Sequence, residues 1–351
     1  MIDYPHEQHI HCENGAIRNM LKFQGVYISE PLIFGIGSGI TFKYLPFIKV
    51  ETFGLTVARP KPVQISKNLS DALGFKLYYE KFLFKQRSMQ RLDELLSQEI
   101  PVGLVINQFH LPFFPPEHRV NFNGHHIVVY GKEGNRYFIS DTMNELPDGR
   151  EILSREQLLR VRFAKSLLSP RGSLFYVKKV PQNMNLQKGI WIGIRKTCED
   201  MLHHPFRFFG IKGLLVLSED IRKWENKFTF QQKKANFRHL IRFFEEAGTG
   251  GSAFRYLYAQ FLKEAAVITH EPALASLSIS MVAIADIWQN CALQMLRYTK
   301  IRNPENNSIT LLEISDLFVQ IAKEEKILFQ QLELLVQKHQ AVFSFLPGFR
   351  P

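Results

Sequence analysis

Three residue types that together make a cysteine nucleophile stand in this chain: Cys12 in the run His11-Cys12-Glu13-Asn14-Gly15, and His126 and Asp141 on either side of a short turn far downstream. A thiolate attacks carbonyl carbon, an imidazole takes the thiol proton, and a carboxylate holds the imidazole in the right tautomer. The chemistry such a set supports is covalent acyl transfer or hydrolysis. A small buried core cysteine and an exposed polar hairpin are the plain alternatives.

The elements that must position these groups can be read locally. Ile17, Met20 and Leu21 follow Cys12 at helical spacing, Glu13 is a first-turn acid and Gly25 ends the segment, which predicts a helix starting at or beside Cys12. A thiol at a helix N-terminus feels partial positive charge, which favours the thiolate, and the first-turn N–H groups can receive an oxyanion. His126–Gly131 and Arg136–Ser140 are strand-like, with a hairpin signal in Lys132-Glu133-Gly134-Asn135. With the turn centred on Glu133 and Gly134, Lys132 faces Asn135, and continuing outward sets His126 opposite Asp141 on one face. His125 then points to the other face, and a one-residue slip in the turn would exchange the two histidines.

These segments resemble a known family. His11-Cys12-Glu13, Ser29-Glu30 followed by Phe34-Gly35-Ile36-Gly37-Ser38-Gly39, and Gly124-His125-His126-Ile127-Val128-Val129 are similar to the N-terminal domain of butirosin biosynthesis protein H, a papain-like cysteine fold. Gly210-Ile211-Lys212-Gly213-Leu214 with Trp224, and Gly248-Thr249-Gly250-Gly251 with Arg255, resemble the helical domain that often follows it. The resemblance implies an acyltransferase that takes an acyl group from a carrier-protein thioester onto cysteine and passes it to a small-molecule amine. By position, Cys12 would be the nucleophile, His126 the base and Asp141 the orienter. It also implies a phosphopantetheine-linked donor, no tightly bound cofactor and a role in natural-product biosynthesis. The glutamine that often supplies an oxyanion contact six residues before a papain-like cysteine is missing. His6 stands there and Gln8 is four residues upstream, so Gln8, His6 and His125 are the candidates for support.

Composition sets the frame. The chain has 351 residues, 45% hydrophobic and 13% aromatic, enough for two cores. Its character changes near Pro181. Before it, β-rich runs such as Val102–Ile106 and Ser173–Val177 alternate with helical segments such as Arg87–Gln98. After it, Leu186–Leu202, Leu214–Asn226, Ala235–Ala247, Ala253–Ile268, Ala273–Tyr298 and Leu311–His339 all read helical. The expectation is an α+β, papain-like catalytic domain over 1–180 and an α-helical domain over 181–351. The three cysteines are widely spaced and odd in number, which suggests neither a disulfide framework nor a paired-cysteine metal site. The acids and histidines near the start do not make a signal peptide, and no unbroken apolar run approaches the ~20 residues of a membrane span. A cytoplasmic location is the default expectation.

The net charge of +11 is uneven. Lys188 to Arg242 holds twelve Lys or Arg against five Asp or Glu, whereas the chain beyond has nine against eleven. Such a field would steer an acidic partner, and an acidic acyl carrier protein fits both the charge and the resemblance. No helix-turn-helix, RNP-type or zinc-finger signature argues for nucleic acid.

Other features carry weaker chemistry. His6, His9, His11 and Cys12 with His125 have zinc-ligand types, although they equally suit the surroundings of a nucleophile, and no metal is expected. Gly35-Ile36-Gly37-Ser38-Gly39 reads as a tight turn, lacking the strand and helix of a dinucleotide fingerprint. Gly250, Gly251, Ser252 and Arg255 open a helix with Ser252 as N-cap, a geometry that could take a phosphopantetheine phosphate. The helix from Leu311 carries an apolar stripe that could pair with a second subunit or pack in its own domain. Water in place of the amine would make the enzyme a peptidase or thioesterase, and a non-catalytic binding protein is the third reading.

Overall fold

The computed structural model describes residues 2–50, 52–114, 123–143, 149–165, 169–246, 248–302 and 309–344. In chain order, helices α1 (Cys12–Phe23) and α2 (Glu30–Ile36) precede a hairpin of β1 (Lys43–Val50) and β2 (Phe53–Val57). Then come α3 (Gln64–Leu73), β3 (Leu77–Glu80), α4 (Lys85–Ser97), β4 (Val102–Asn107), β5 (Asn123–Glu133) and β6 (Arg136–Ser140). β7 (Arg150–Ser154), α5 (Arg155–Arg162) and β8 (Leu174–Val177) complete this stretch. Six long helices follow: α6 (Leu186–Leu202), α7 (Gly210–Arg222), α8 (Phe230–Ile241), α9 (Arg255–Thr269), α10 (Pro272–Lys300) and α11 (Leu311–Ser344). The α+β class and the helical C-terminal region are as expected.

The residues group into two compact units, Met1–Ile33 with Lys61–Asn185, and Phe34–Pro60 with Leu186–Pro351. The chain therefore enters the second unit early, through the β1–β2 hairpin, before returning. The first unit is thus not the unbroken 1–180 of the sequence expectation, and its later limit lies at Asn185.

The first unit is built on a six-stranded antiparallel sheet of order β3-β8-β4-β5-β6-β7. Val102, Leu104 and Ile106 of β4, Ile127 and Val129 of β5, and Tyr137 and Ile139 of β6 alternate along their strands. They join Leu92 and Leu95 of α4 and Leu158 and Val161 of α5 in one fully buried core. α5 begins with a capping box in which Ser154 and Gln157 satisfy each other's backbone N–H groups. α1 buries residues around most of its circumference, including Cys12, Glu13, Asn14, Gly15 and Asn19, and packs on β5.

The second unit is a helical assembly around Trp288, whose ring meets Phe42, Phe244 and Phe318 at centroid distances of 6.2, 4.9 and 5.9 Å. α8 opens with a Thr229–Gln232 capping box, and α10 with Glu271 as N-cap and Pro272 behind it. α6 spans the expected residues. The expected helix end at Ala247 lies outside the described residues. The Gly35–Gly39 run is the expected turn: Ser38 N–H donates to the Gly35 carbonyl and Gly39 N–H to that of Phe34. A side chain at Gly35 would lie 2.0 Å from the Phe261 ring, which explains the glycine. Along α11, Ile321, Leu328 and Leu332 are buried within the unit, while Leu312 is exposed. Among the described residues α10 alone is long and apolar enough to cross a membrane, and it packs Leu274, Met281, Trp288 and Met295 into this core.

Candidate active site

Cys12 is the first residue of α1, and His11 before it has the extended backbone of an N-cap. The segment leading in is held by a buried acid. Glu30 of α2 accepts the N–H of His11 at 2.8 Å through Oε1 and that of Ile10 at 3.0 Å through Oε2, with His9 Nδ1 3.6 Å away. Burial works against the Glu30 charge, but His9 and the N–H groups of His11 and Ile10 outweigh it and hold the carboxyl below the usual range. The Glu30 of the sequence motif thus fixes the approach to the nucleophile. Gly15, one turn on, allows α1 to lie against Thr142, since a Cβ there would stand 2.3 Å from Thr142 Oγ1.

The histidines come from the first residues of β5, and their facing is settled by strand register. The hairpin turns at Gly134 and Asn135, with Gly134 at φ +57, so Glu133 pairs with Arg136 and Lys132 with Tyr137. This is two residues away from the expected pairing of Lys132 with Asn135. A bulge between Val129 and Gly131 then takes one residue back, leaving Val129 opposite Ile139 and Val128 opposite Ser140. The net slip is one residue, and a one-residue slip exchanges faces. Asp141 therefore serves His125, not His126: Asp141 Oδ2 lies 2.7 Å from His125 Nε2, while its Oδ1 accepts the Met143 N–H at 3.1 Å. The expected opposition of His126 and Asp141 is corrected by the bulge at Tyr130.

Both imidazoles nevertheless border the thiol. Cys12 Sγ lies 3.6 Å from His126 Nδ1 and 4.0 Å from the Gly124 carbonyl at the start of the strand. Burial disfavours charge on His125, but Asp141 and then Cys12 outweigh it and push its pKa up to about 10. The side chains of His125 and Asp141 are 3% and 0% exposed. Asn107 and Asn123 flank the strand ends, joined through Asn107 Nδ2 and Asn123 Oδ1 at 2.8 Å.

Glu13 was readable only as a first-turn acid. Its Oε2 accepts the Val63 N–H at 3.0 Å, its Oε1 accepts the Ser66 N–H at 2.9 Å and Ser66 Oγ at 3.1 Å, and Oε2 stands 3.7 Å from His126 Nε2. It caps α3 and meets the second histidine at once, a long-range contact with no local signal.

The supporting candidates separate. His6 Nδ1 is 2.7 Å from Ser140 Oγ, on the strand that leads into Asp141, and Gln8 is exposed. Among the described residues no three His, Cys, Asp or Glu side chains are placed to hold a metal ion.

The glycine-rich turn of the second unit is corrected as an anion site. Gly250 and Gly251 have positive φ, as do Ser252, Ala253 and Phe254 after them. Ser252 is no N-cap: its Oγ donates to the Ala285 carbonyl at 2.8 Å, and its N–H donates to Glu245 at 3.1 Å. Arg255 is fully buried and committed. Nε and Nη2 donate to the two oxygens of Glu325 at 2.7 and 3.0 Å, Nη1 to the Ala253 carbonyl at 2.7 Å, and the guanidinium lies 4.5 Å over Trp288. A charge held on every side by its own unit does not reach out to a phosphate.

Comparison with known proteins places these elements. Residues 11–142 match the family model described as butirosin biosynthesis protein H, N-terminal, and residues 156–332 match a domain of unknown function (DUF4872). No curated protein matches the chain. Among solved structures, a protein assigned as a C39-like peptidase from Bacillus anthracis is similar at 14% identity, over 51% of this chain and 96% of that one, with a TM-score of 0.35.

Proposed function

The chain belongs to the DUF4872 family, with a butirosin biosynthesis protein H N-terminal domain ahead of that region, and from this premise we propose that it is a cysteine acyltransferase. It moves an acyl group from a thioester through acyl-Cys12 onto an amine. The observation that carries the reading is a sulfur at a helix N-terminus between two imidazoles, one of them gripped by Asp141.

In this mechanism His125, oriented by Asp141, takes the Cys12 proton. The thiolate attacks the thioester carbonyl, and N–H groups at the start of α1 receive the oxyanion, a contribution of about 100-fold or more per donor in comparable sites. The C–S bond to the donor breaks, and the departing thiolate takes the proton from His125. An amine then attacks acyl-Cys12, loses a proton to the site and releases the thiolate. The roles are those of a nucleophile, base and orienter, with His125 in place of His126 as base.

The donor is an acyl group on a phosphopantetheine arm of an acidic carrier protein. Arg195 of α6, Lys212 and Arg222 of α7, Arg238 of α8, and Arg207, Lys223 and Lys227 between these helices are exposed and supply the attracting field.

The test is the intact mass of the protein after incubation with acyl-loaded carrier protein or short acyl thioesters, beside a Cys12→Ala variant. An acyl-mass adduct on the parent alone supports the reading. Turnover to amide only when amine is added identifies a transferase, and free acid at the same rate without amine identifies a hydrolase. No adduct across a broad donor panel overturns it.

A further inference from the structure

One imidazole suffices for the mechanism above, yet two reach the sulfur, and the second also has a carboxylate behind it. His126 presents Nδ1 to Cys12 Sγ at 3.6 Å and Nε2 to Glu13 Oε2 at 3.7 Å, with side chains of His126 and Glu13 only 1% and 3% exposed. The ring is fixed on its remaining side by Phe175 of β8, edge-on at a centroid distance of 5.8 Å. Glu13 is itself pinned by the N–H groups of Val63 and Ser66. Capping α3 accounts for those two contacts. It does not require the same carboxylate to back an imidazole that faces the nucleophile.

Resting on the acyl-transfer reading, we propose that His126, steadied by Glu13, is a second catalytic base that receives the proton of the acceptor amine, while His125 serves the donor thioester. The two half-reactions have opposite proton demands. Acylation must send a proton out with the donor thiol, and His125, held in its charged form by Asp141, is the source. Aminolysis must take a proton in. The amine nitrogen bonds to the acyl carbon attached to Cys12 Sγ, within reach of His126 Nδ1, and passes its proton there. As the C–S bond breaks, the Cys12 thiolate stands beside both rings and carries that proton from His126 to His125, which restores the starting state. One proton enters with the amine and one leaves with the donor thiol, and nothing is oxidised or reduced. Cys12 and Glu13 of α1 are titratable groups that face His126. Glu13 acts through His126 and is a positioning residue.

The experiment separates the halves. Acyl-enzyme is formed with a thioester, freed of donor, and mixed with amine across a range of pH, with mass read over time for the parent, His126→Gln, Glu13→Gln and His125→Asn. His126→Gln should slow resolution by about 100-fold, the usual scale of one general base, and slow acylation far less. His125→Asn should show the reverse bias. Glu13→Gln should move the midpoint of the resolution profile toward acid, because an imidazole loses basicity when a neighbouring negative charge is removed. Circular dichroism establishes that each variant is folded, and if Glu13→Gln loses α3 the His126→Gln comparison decides alone. Equal resolution by His126→Gln and the parent, or equal slowing of both halves, overturns the proposal. A parent that takes no acyl group from any donor overturns the acyl-transfer reading and this one together, whereas normal acylation with unaltered resolution overturns only this one.

Discussion

His125 Nε2 and Asp141 Oδ2 stand 2.7 Å apart inside the first unit, and a single bulged residue in β5 is what brings them together. A buried imidazole facing a buried carboxylate is a charged pair in a low-dielectric place, so its energy depends on pH. That dependence can be measured without knowing any substrate.

His125 has a folded pKa of about 10 against an ordinary value of 6.5, raised by Asp141 and Cys12 in spite of burial. A raised histidine pKa stabilises the fold fully below the unfolded value and loses that contribution as pH climbs through the folded one. The stability advantage of the parent over Asp141→Asn should therefore be largest near pH 6, shrink from about 6.5 upward and be gone above about 10. Urea unfolding at pH 6, 8 and 10 measures it. A gap that stays constant with pH would remove the ion pair from the account.

The three thiols should behave differently. Burial, with Glu333 and Glu199 near Cys198 and with Glu245 near Cys291, pushes those two thiols up, so little thiolate forms there near neutral pH. Cys12 has two imidazoles beside it. Iodoacetamide at pH 7.5 should modify one cysteine in the folded protein, mapped by peptide mass to Cys12, and all three only after unfolding. Cys12 is about as buried as the other two, so labelling of Cys198 or Cys291 at a comparable rate would show that its imidazoles do not set it apart.

Local signals carried the nucleophile helix, the hairpin and α6, because each depends on spacing within one element. Register did not follow, since nothing in Gly131-Lys132-Glu133-Gly134-Asn135 tells a turn at Glu133-Gly134 from one at Gly134-Asn135, and the compensating bulge at Tyr130 has no sequence mark. Asp141 was therefore set against His126 instead of His125, as an odd slip demands. Arg255 was misjudged for another reason: Glu325 lies 70 residues away, and a charge beside a turn looks exposed until its counter-ion is seen, just as the contacts of the first-turn acid Glu13 with Val63 and His126 had no local mark. The β1–β2 hairpin grouping with the second unit is equally non-local.

Gly15 tests whether the position of α1 matters to chemistry. In Gly15→Ala the new Cβ would meet Thr142 Oγ1 at 2.3 Å and His9 Cβ at 2.9 Å, so α1 must move away from the residue next to Asp141. Overpacking of this kind costs about 1–3 kcal/mol. The displaced sulfur should lower acylation by about 100-fold, the scale of a misplacement near 1 Å. Gly25→Ala is the control: its φ of +80 strains any side chain, yet nothing lies within 4 Å, so thermal stability should fall with acylation unchanged. Equal acylation by both variants would show that the helix position is not limiting.

The Arg255–Glu325 pair makes the opposite kind of prediction, one of stability without chemistry. Trp288 Nε1 donates to the same Glu325 oxygen at 2.8 Å as Arg255 Nε does at 2.7 Å, and neither charged side chain is exposed at all. Removing one partner strands the other charge in an apolar interior, which costs about 3–5 kcal/mol, whereas replacing both with apolar groups of similar volume is often neutral. Arg255→Met and Glu325→Leu should each lower the unfolding midpoint strongly, and the double variant should recover much of the loss, although Trp288 keeps an unmet N–H. Were Arg255 instead an anion receptor, Arg255→Met would leave stability nearly intact and raise the KM for carrier-bound donor. Chemical unfolding of the four proteins, beside donor titrations of those that fold, decides between the two roles.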